Sequence, residues 1–172
     1  MAALPSFSAT TTAFHDTRDP LQARYDIDTK LPRELREEAA GMDWGLFMAT
    51  YAPAATLHVG LTPTAHSLWA GTRYSATVTA STKTERPRTT TCEMNAAGPA
   101  AAVSQVLNDH GRYVEILSFH QIELYEATVT CVEVGHQVDH KRRAWAIGFG
   151  ATPAHSVAAA LSSGAQRIYG NL

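Results

Sequence analysis

The stretch Tyr74-Ser-Ala-Thr-Val-Thr-Ala80 returns 51 residues later as Tyr125-Glu-Ala-Thr-Val-Thr-Cys131, with five of seven residues identical. Both copies read as strands, because β-branched Thr and Val fit a pleated, half-buried surface. A second set of matches lies 54 residues apart and pairs Pro99 with Pro153, Val103 with Val157 and Leu107 with Leu161. Proline is well placed at a first helical position, where its missing N–H has no intrahelical partner to lose. Val and Leu four residues apart form the stripe that a helix lays on a sheet. A strand match followed by a helix match, twice in the same order, makes two copies of one unit. The difference between the two spacings is assigned to hairpin tips at 81–87 and 132–141, where insertions are tolerated.

Working outward, each unit reads strand, strand, strand, helix. The first has strands over 55–61, 67–80 and 88–94 and a helix over 98–108. The second has strands over 113–120, 123–134 and 143–148 and a helix over 152–167. Tyr125, Ala127, Val129 and Cys131 alternate with Glu126, Thr128 and Thr130, the pattern of a sheet covered on one side. The fold class is therefore α+β, with two pseudo-twofold-related βββα units (55–110 and 111–168) in one domain over 55–172. Upstream lies a short helical preface over 24–54, extended at 24–28. It has a helix over 31–40 with Pro32 in its first turn, Gly41 as punctuation, and a helix over 44–51. Asp43 suits the N-cap of that helix. Trp44, Phe47, Met48 and Tyr51 share one apolar stripe, and Pro53 ends it. Residues 1–23, rich in Ser, Thr and Ala, read as a flexible arm.

At 172 residues the chain is too short for a (β/α)₈ barrel, which needs about 250. Fourteen basic against sixteen acidic residues leave a net charge of −2, without the basic excess that nucleic acid or an anionic membrane selects. No run approaches the roughly eighteen apolar residues of a membrane span, and the first twenty residues lack a signal-peptide pattern. The expectation is a cytoplasmic protein. Its two thiols, Cys92 and Cys131, are then reduced, and each reads as a small buried apolar residue, with Cys131 in the core position of Ala80.

The unit pattern carries a resemblance. Roughly residues 74–167 resemble the C-terminal regulatory (allosteric, dimerisation) domain of 2-isopropylmalate synthase. Gly98-Pro99-x-x-Ala102 opens the first helix, Val114-Glu-Ile-Leu117 the second unit, Trp145-Ala-Ile-Gly148 lies in the last strand and Gln166-Arg167 closes the last helix. The preface resembles the linker subdomain before that domain, through Leu31-Pro-Arg-Glu-Leu35 and Trp44-x-x-Phe47-x-x-x-Tyr51-x-Pro53. The resemblance implies a homodimer that binds an amino acid and restrains a separate catalytic barrel of a biosynthetic enzyme. That barrel, with its metal ligands and acetyl-CoA site, has no counterpart in these residues, so the expectation is a stand-alone module beside a barrel-bearing partner. The chain departs from the family pattern at Asn95-Ala96-Ala97, at Ser118 in place of an acid, and in the short loop Gln121-Ile-Glu-Leu124. The ligand is thus expected to be small and apolar or amino-acid-like.

The resemblance places the ligand cleft between the units, at Gly98, Pro99, Ala101, Leu117, Ser118, His120, Thr152 and Pro153. Alternation puts His120 on a face with Val114, Ile116 and Ser118. An imidazole titrates near neutrality, so His120, or His155 in the first turn of the second helix, is a candidate general acid or base. The plainer alternatives are a hydrogen-bonded histidine at a strand end and a solvated first-turn residue. His136, Asp139 and His140 have ligand types at helical spacing but fall in a hairpin tip beside Lys141, Arg142 and Arg143, which reads as a solvated turn. His58 and His66 read as loop or strand-end residues. Tyr74 and Tyr125 read as repeat-symmetric packing residues. No metal site, cofactor motif, phosphate loop or Ser–His–Asp arrangement is present. Two functions follow: a dimerising binding module, or a repurposed small enzyme using the same cleft with His-based acid/base catalysis.

Overall fold

The computed structural model describes residues 18–170, apart from 68, 70 and 83. Most of the segment expected as an arm therefore lies outside the described residues, but its last part is built into the fold. Helix α1 (Pro20–Tyr25) is capped by Asp19, whose carboxylate accepts from the Gln22 amide while the Gln22 side chain reaches back, a capping box. Arg24 and Tyr25, expected to be extended, are thus helical. Helix α2 (Arg33–Glu38) starts one residue after Pro32, which sits at the N-cap rather than in the first turn. Helix α3 (Trp44–Tyr51) has the expected bounds, with the Asp43 carboxylate accepting from the Leu46 amide at 2.8 Å.

Two antiparallel three-stranded sheets follow, each closed by a helix. The first is β1 (Leu57–Ser67), β2 (Gly71–Ala80) and β3 (Arg88–Ala96), followed by α4 (Pro99–Asp109). The second is β4 (Val114–Glu123), β5 (Thr128–His136) and β6 (Arg143–Gly150), followed by α5 (Pro153–Tyr169). The expected α+β pair of βββα units with a helical preface is what the chain forms.

One core joins the units. Leu57, Val59, Leu61, Ala76 and Val78 of the first sheet, Val132, Val134 and Ala146 of the second, and the apolar stripes of α4 and α5 belong to a single buried cluster. α5 is its keystone. Gly148 and Gly150 of β6 lack side chains where α5 crosses them: a Cβ on Gly148 would lie 2.1 Å from the Ala160 nitrogen, and one on Gly150 2.3 Å from the Ser156 nitrogen. In the first unit the residues at the same distance before the helix are Met94 and Ala96. Their side chains pack against the same core. α5 also serves the free edge of β1: Ser162 Oγ accepts from the Val59 amide at 3.0 Å and Gln166 Oε1 from the Thr56 amide at 2.9 Å. An edge strand's unpaired donors are thereby satisfied by the other unit's helix.

The two sheets differ on their outer faces. Ile122, Val129, Cys131, Trp145 and Ile147 of the second sheet are apolar and buried under Leu21, Leu31, Leu35, Phe47 and Tyr51 of the preface. β5 is therefore buried on both faces, not on one as expected. The first sheet turns Arg73, Thr77, Thr91, Glu93 and Asn95 outward and leaves them exposed. Only a sheet with an apolar back needs a cover, and the preface supplies it.

The sequence echo is out of register with the structural repeat. Ala96 and Gly150, 54 apart, face Thr72 and Thr128 on the middle strands, so β2 and β5 correspond at a spacing of 56, not 51. Tyr74 is 4% exposed within β2, whereas Tyr125 stands 99% exposed in the β4–β5 turn, so they are not symmetric packing residues. The residue equivalent to Tyr125 is Trp69, 97% exposed at the β1–β2 tip. Cys131 is buried, but against the preface, while Ala80 is exposed. Cys92, expected to be buried, is exposed on the edge strand β3.

Candidate functional site

The residues expected to form one cleft are placed on different surfaces. Gly98 is the N-cap of α4, extended at φ −172° and without a side-chain cap, with Pro99 in the first turn and Ala101 exposed beyond it. Thr152 caps α5, its hydroxyl accepting from the His155 amide at 3.2 Å, and Pro153 and His155 are exposed in the first turn. These positions flank the inner, helix-covered layer.

Leu117, Ser118 and His120 lie elsewhere. A β-bulge between Ile116 and Ser118 inserts Leu117 into β4, and the alternation flips there. Val114 and Ile116 join the inner core, but His120 pairs with Cys131 and so faces outward, toward the preface side. The expected common face of His120 with Val114 and Ile116 is corrected accordingly. His120 is exposed, its Nε2 lies 3.0 Å from Ser118 Oγ, and its ring centre is 6.3 Å from that of Trp145.

The β4 residue that does reach the start of α5 is Gln121. Its amide donates to Thr130 Oγ1 at 3.0 Å, Thr130 Oγ1 is 2.6 Å from Ser156 Oγ, and Ser156 donates to the Pro153 carbonyl at 2.9 Å. Because Ser156 uses its proton on Pro153, Thr130 donates to Ser156, and the chain runs in one direction. It fixes the first turn of α5 on the sheet, and its middle bond, Thr130 to Ser156, is buried, where an unmade bond would cost about 1–3 kcal/mol. Polar alternation in β4 signals Gln121 only if the bulge is known, and nothing local announces it.

Three depressions mark the surface of the second sheet and preface. A groove of about 640 Å³ is lined by Glu34, Glu37, Glu38, Glu133, Arg143 and Trp145. Its charges are largely matched internally: Glu133 pairs with Arg143 at 2.7 Å, Glu37 with Arg33 at 2.8 Å, and Glu38 accepts from the Tyr51 hydroxyl. Arg167 lies 5.0 Å over the Tyr51 ring and donates to the Trp145 carbonyl. Burial lowers the Arg167 pKa, opposed by Tyr51 and Glu38. The same desolvation raises that of Tyr51. A second hollow of about 460 Å³ lies within the preface beside Asp19, Arg36 and Met42. A third of about 210 Å³ is bordered by Glu115, Leu117, His136, His140 and Arg143. Of the three residues expected in a solvated turn, Asp139 and His140 are exposed in the hairpin tip, whereas His136 ends β5 and is half-buried.

Among the described residues, no three His, Cys, Asp or Glu side chains converge as a metal site. Among those residues too, no helix is long and apolar enough to cross a membrane. Comparison with known proteins finds no family model and no curated relative that matches the chain.

Proposed function

We propose that this chain is a dimerising small-molecule-binding module resembling the leucine-sensing regulatory domain of 2-isopropylmalate synthase. The observation that supports the reading is the pair of βββα units joined through one core, with the preface seated on the back of the second sheet. Two such units preceded by a helical segment are what the resemblance implies for a regulatory domain and its linker. The ligand is small and apolar or amino-acid-like, held near Gly98, Pro99, Ala101, Thr152 and Pro153. Leu117, Ser118 and His120 belong to a separate surface. The module works in the cytoplasm and acts allosterically on a barrel-bearing biosynthetic enzyme. Titration calorimetry with branched-chain amino acids and 2-oxo acids at millimolar concentration tests the ligand, and sedimentation equilibrium tests the dimer. Heat from at least one acid supports the reading; no heat from any of them refutes it.

One contact favours a second reading, a repurposed enzyme. Ser118 Oγ and His120 Nε2 stand at hydrogen-bond distance on an exposed strand, as a hydroxyl and its base must. An activated-serine probe that labels the protein, and fails to label His120→Ala, supports that reading; equal labelling of both removes it.

A further inference from the structure

We infer that the β5–β6 hairpin is a pH-operated clasp on the end of α5, with His136 as its switch. His136 closes β5, and its Nδ1 accepts two backbone donors of the turn that follows, the amides of Val138 at 3.2 Å and Asp139 at 3.0 Å. A ring nitrogen can accept only while it carries no proton, so this turn is built on the neutral tautomer with hydrogen on Nε2. Protonation puts an N–H on Nδ1, donor facing the two donor amides, and both bonds are lost together.

The turn is closed by one backbone bond and connected to α5 at two points, through Arg142 and through the His136 ring. The His136 amide donates to the Arg142 carbonyl at 2.9 Å, which closes the hairpin. The Arg142 guanidinium donates to the Ile168 carbonyl, one of the acceptors left open at the end of α5. The Tyr169 ring packs on His136 at 5.3 Å, and its hydroxyl donates to the Tyr113 carbonyl at 2.6 Å. Loosening 137–142 therefore releases the last turn of α5 and widens the hollow beside Leu117.

The groups around the ring come from three elements. β4 contributes Glu115 and α5 contributes Tyr169. The hairpin itself contributes Asp139, whose carboxylate is engaged by the Lys141 amide, together with His140, Arg142 and Arg143.

The test is amide exchange and ring resonances of the full chain by NMR, followed from about pH 8 to about pH 5, where imidazoles titrate. With the intrinsic pH dependence removed, the Val138 and Asp139 amides should lose about tenfold in protection, in step with the His136 ring. His136→Asn keeps an oxygen that accepts from the same two amides, as Asn does in turns. It should hold the hairpin and lose the response, while His140→Asn keeps the response. Protection that stays constant while the His136 ring titrates overturns the inference, as does an unchanged response in His136→Asn. If that variant does not fold, the wild-type coincidence of ring and amide titrations decides alone.

Discussion

Gly148→Ala is the sharpest probe of how α5 is seated. The new Cβ would sit 2.1 Å from the Ala160 nitrogen, 2.4 Å from the Ser156 carbonyl oxygen and 2.7 Å from the Ala159 carbonyl carbon. All three are backbone atoms, so no rotamer change relieves the contact. Opening the closest from 2.1 Å to the 3.4 Å of ordinary contact moves helix and strand apart by about 1.3 Å. A radial gap of 0.5–1 Å already forfeits about a quarter to a half of the attraction between facing atoms. Val157, Ala160 and Leu161, all fully buried, lie on the face that would lift. Overpacking commonly costs about 1–3 kcal/mol, and a clash with helix backbone belongs at or above the top of that range. With a urea slope of about 2 kcal/mol/M, the midpoint should fall by about 1.5 M. Gly60→Ala is the control, since its Cβ would meet nothing closer than 3.7 Å. A loss below about 1 kcal/mol for Gly148→Ala, or equal losses for the two variants, would refute close approach as the reason for glycine at that position.

Four further outcomes rest on other buried groups. Burial, then the nearby Asp19 carboxylate, pushes the Cys131 thiol up to about 12. One thiol per native chain, Cys92, should therefore react with a thiolate-selective reagent at mildly alkaline pH, and two after unfolding; native reaction of both would sink this. Because the folded pKa is raised, the Cys131 contribution to stability is intact below the ordinary thiol pKa and is lost as pH climbs from there through about 12, which alkaline melting curves would show. Asp19 accepts from Gln22 with one carboxylate oxygen and from Leu31 with the other, both at 2.9 Å, so Asp19→Asn leaves one buried amide without its acceptor. A loss of about 1–2 kcal/mol and earlier proteolysis within the preface are expected, and unchanged melting would contradict the assignment. Thr130→Val breaks the chain from Gln121 to Pro153, with an expected loss of about 1–3 kcal/mol in a denaturant titration.

What the sequence revealed divides along the range of the forces involved. Asp43, Gly98-Pro99 and Thr152-Pro153 act within one helical turn, and the three helices they start begin where those residues place them. Three strands and a helix, repeated, were also legible, because alternation and punctuation are local. Register was not. The echo Ala-Thr-Val-Thr is real as sequence, yet Ala127 lies in a turn while Ala76 lies in the core. Which residues align is decided by the partner strand and by the bulge at Leu117, and both are set by packing between segments distant in the chain.

The same reasoning explains why the candidate site fragmented. A bulge of one residue exchanges the two faces of a strand, so a face assignment made before Leu117 reverses after it. His120, the more conspicuous side chain, was carried to the outer face, and Gln121, which composition does not distinguish, was carried to the start of α5. The outer face of the second sheet then received the preface because Val129, Cys131, Trp145 and Ile147 are apolar there, whereas threonine, arginine and glutamate at the corresponding surface of the first sheet need no cover. Two copies of one unit therefore do different work: the second carries the preface, the α5 keystone and the His136 hairpin, and the first keeps an open polar face. Among the described residues α5 touches β1, β6 and Tyr51 of the preface together, so a displacement of this helix is felt by both sheets and by the preface at once.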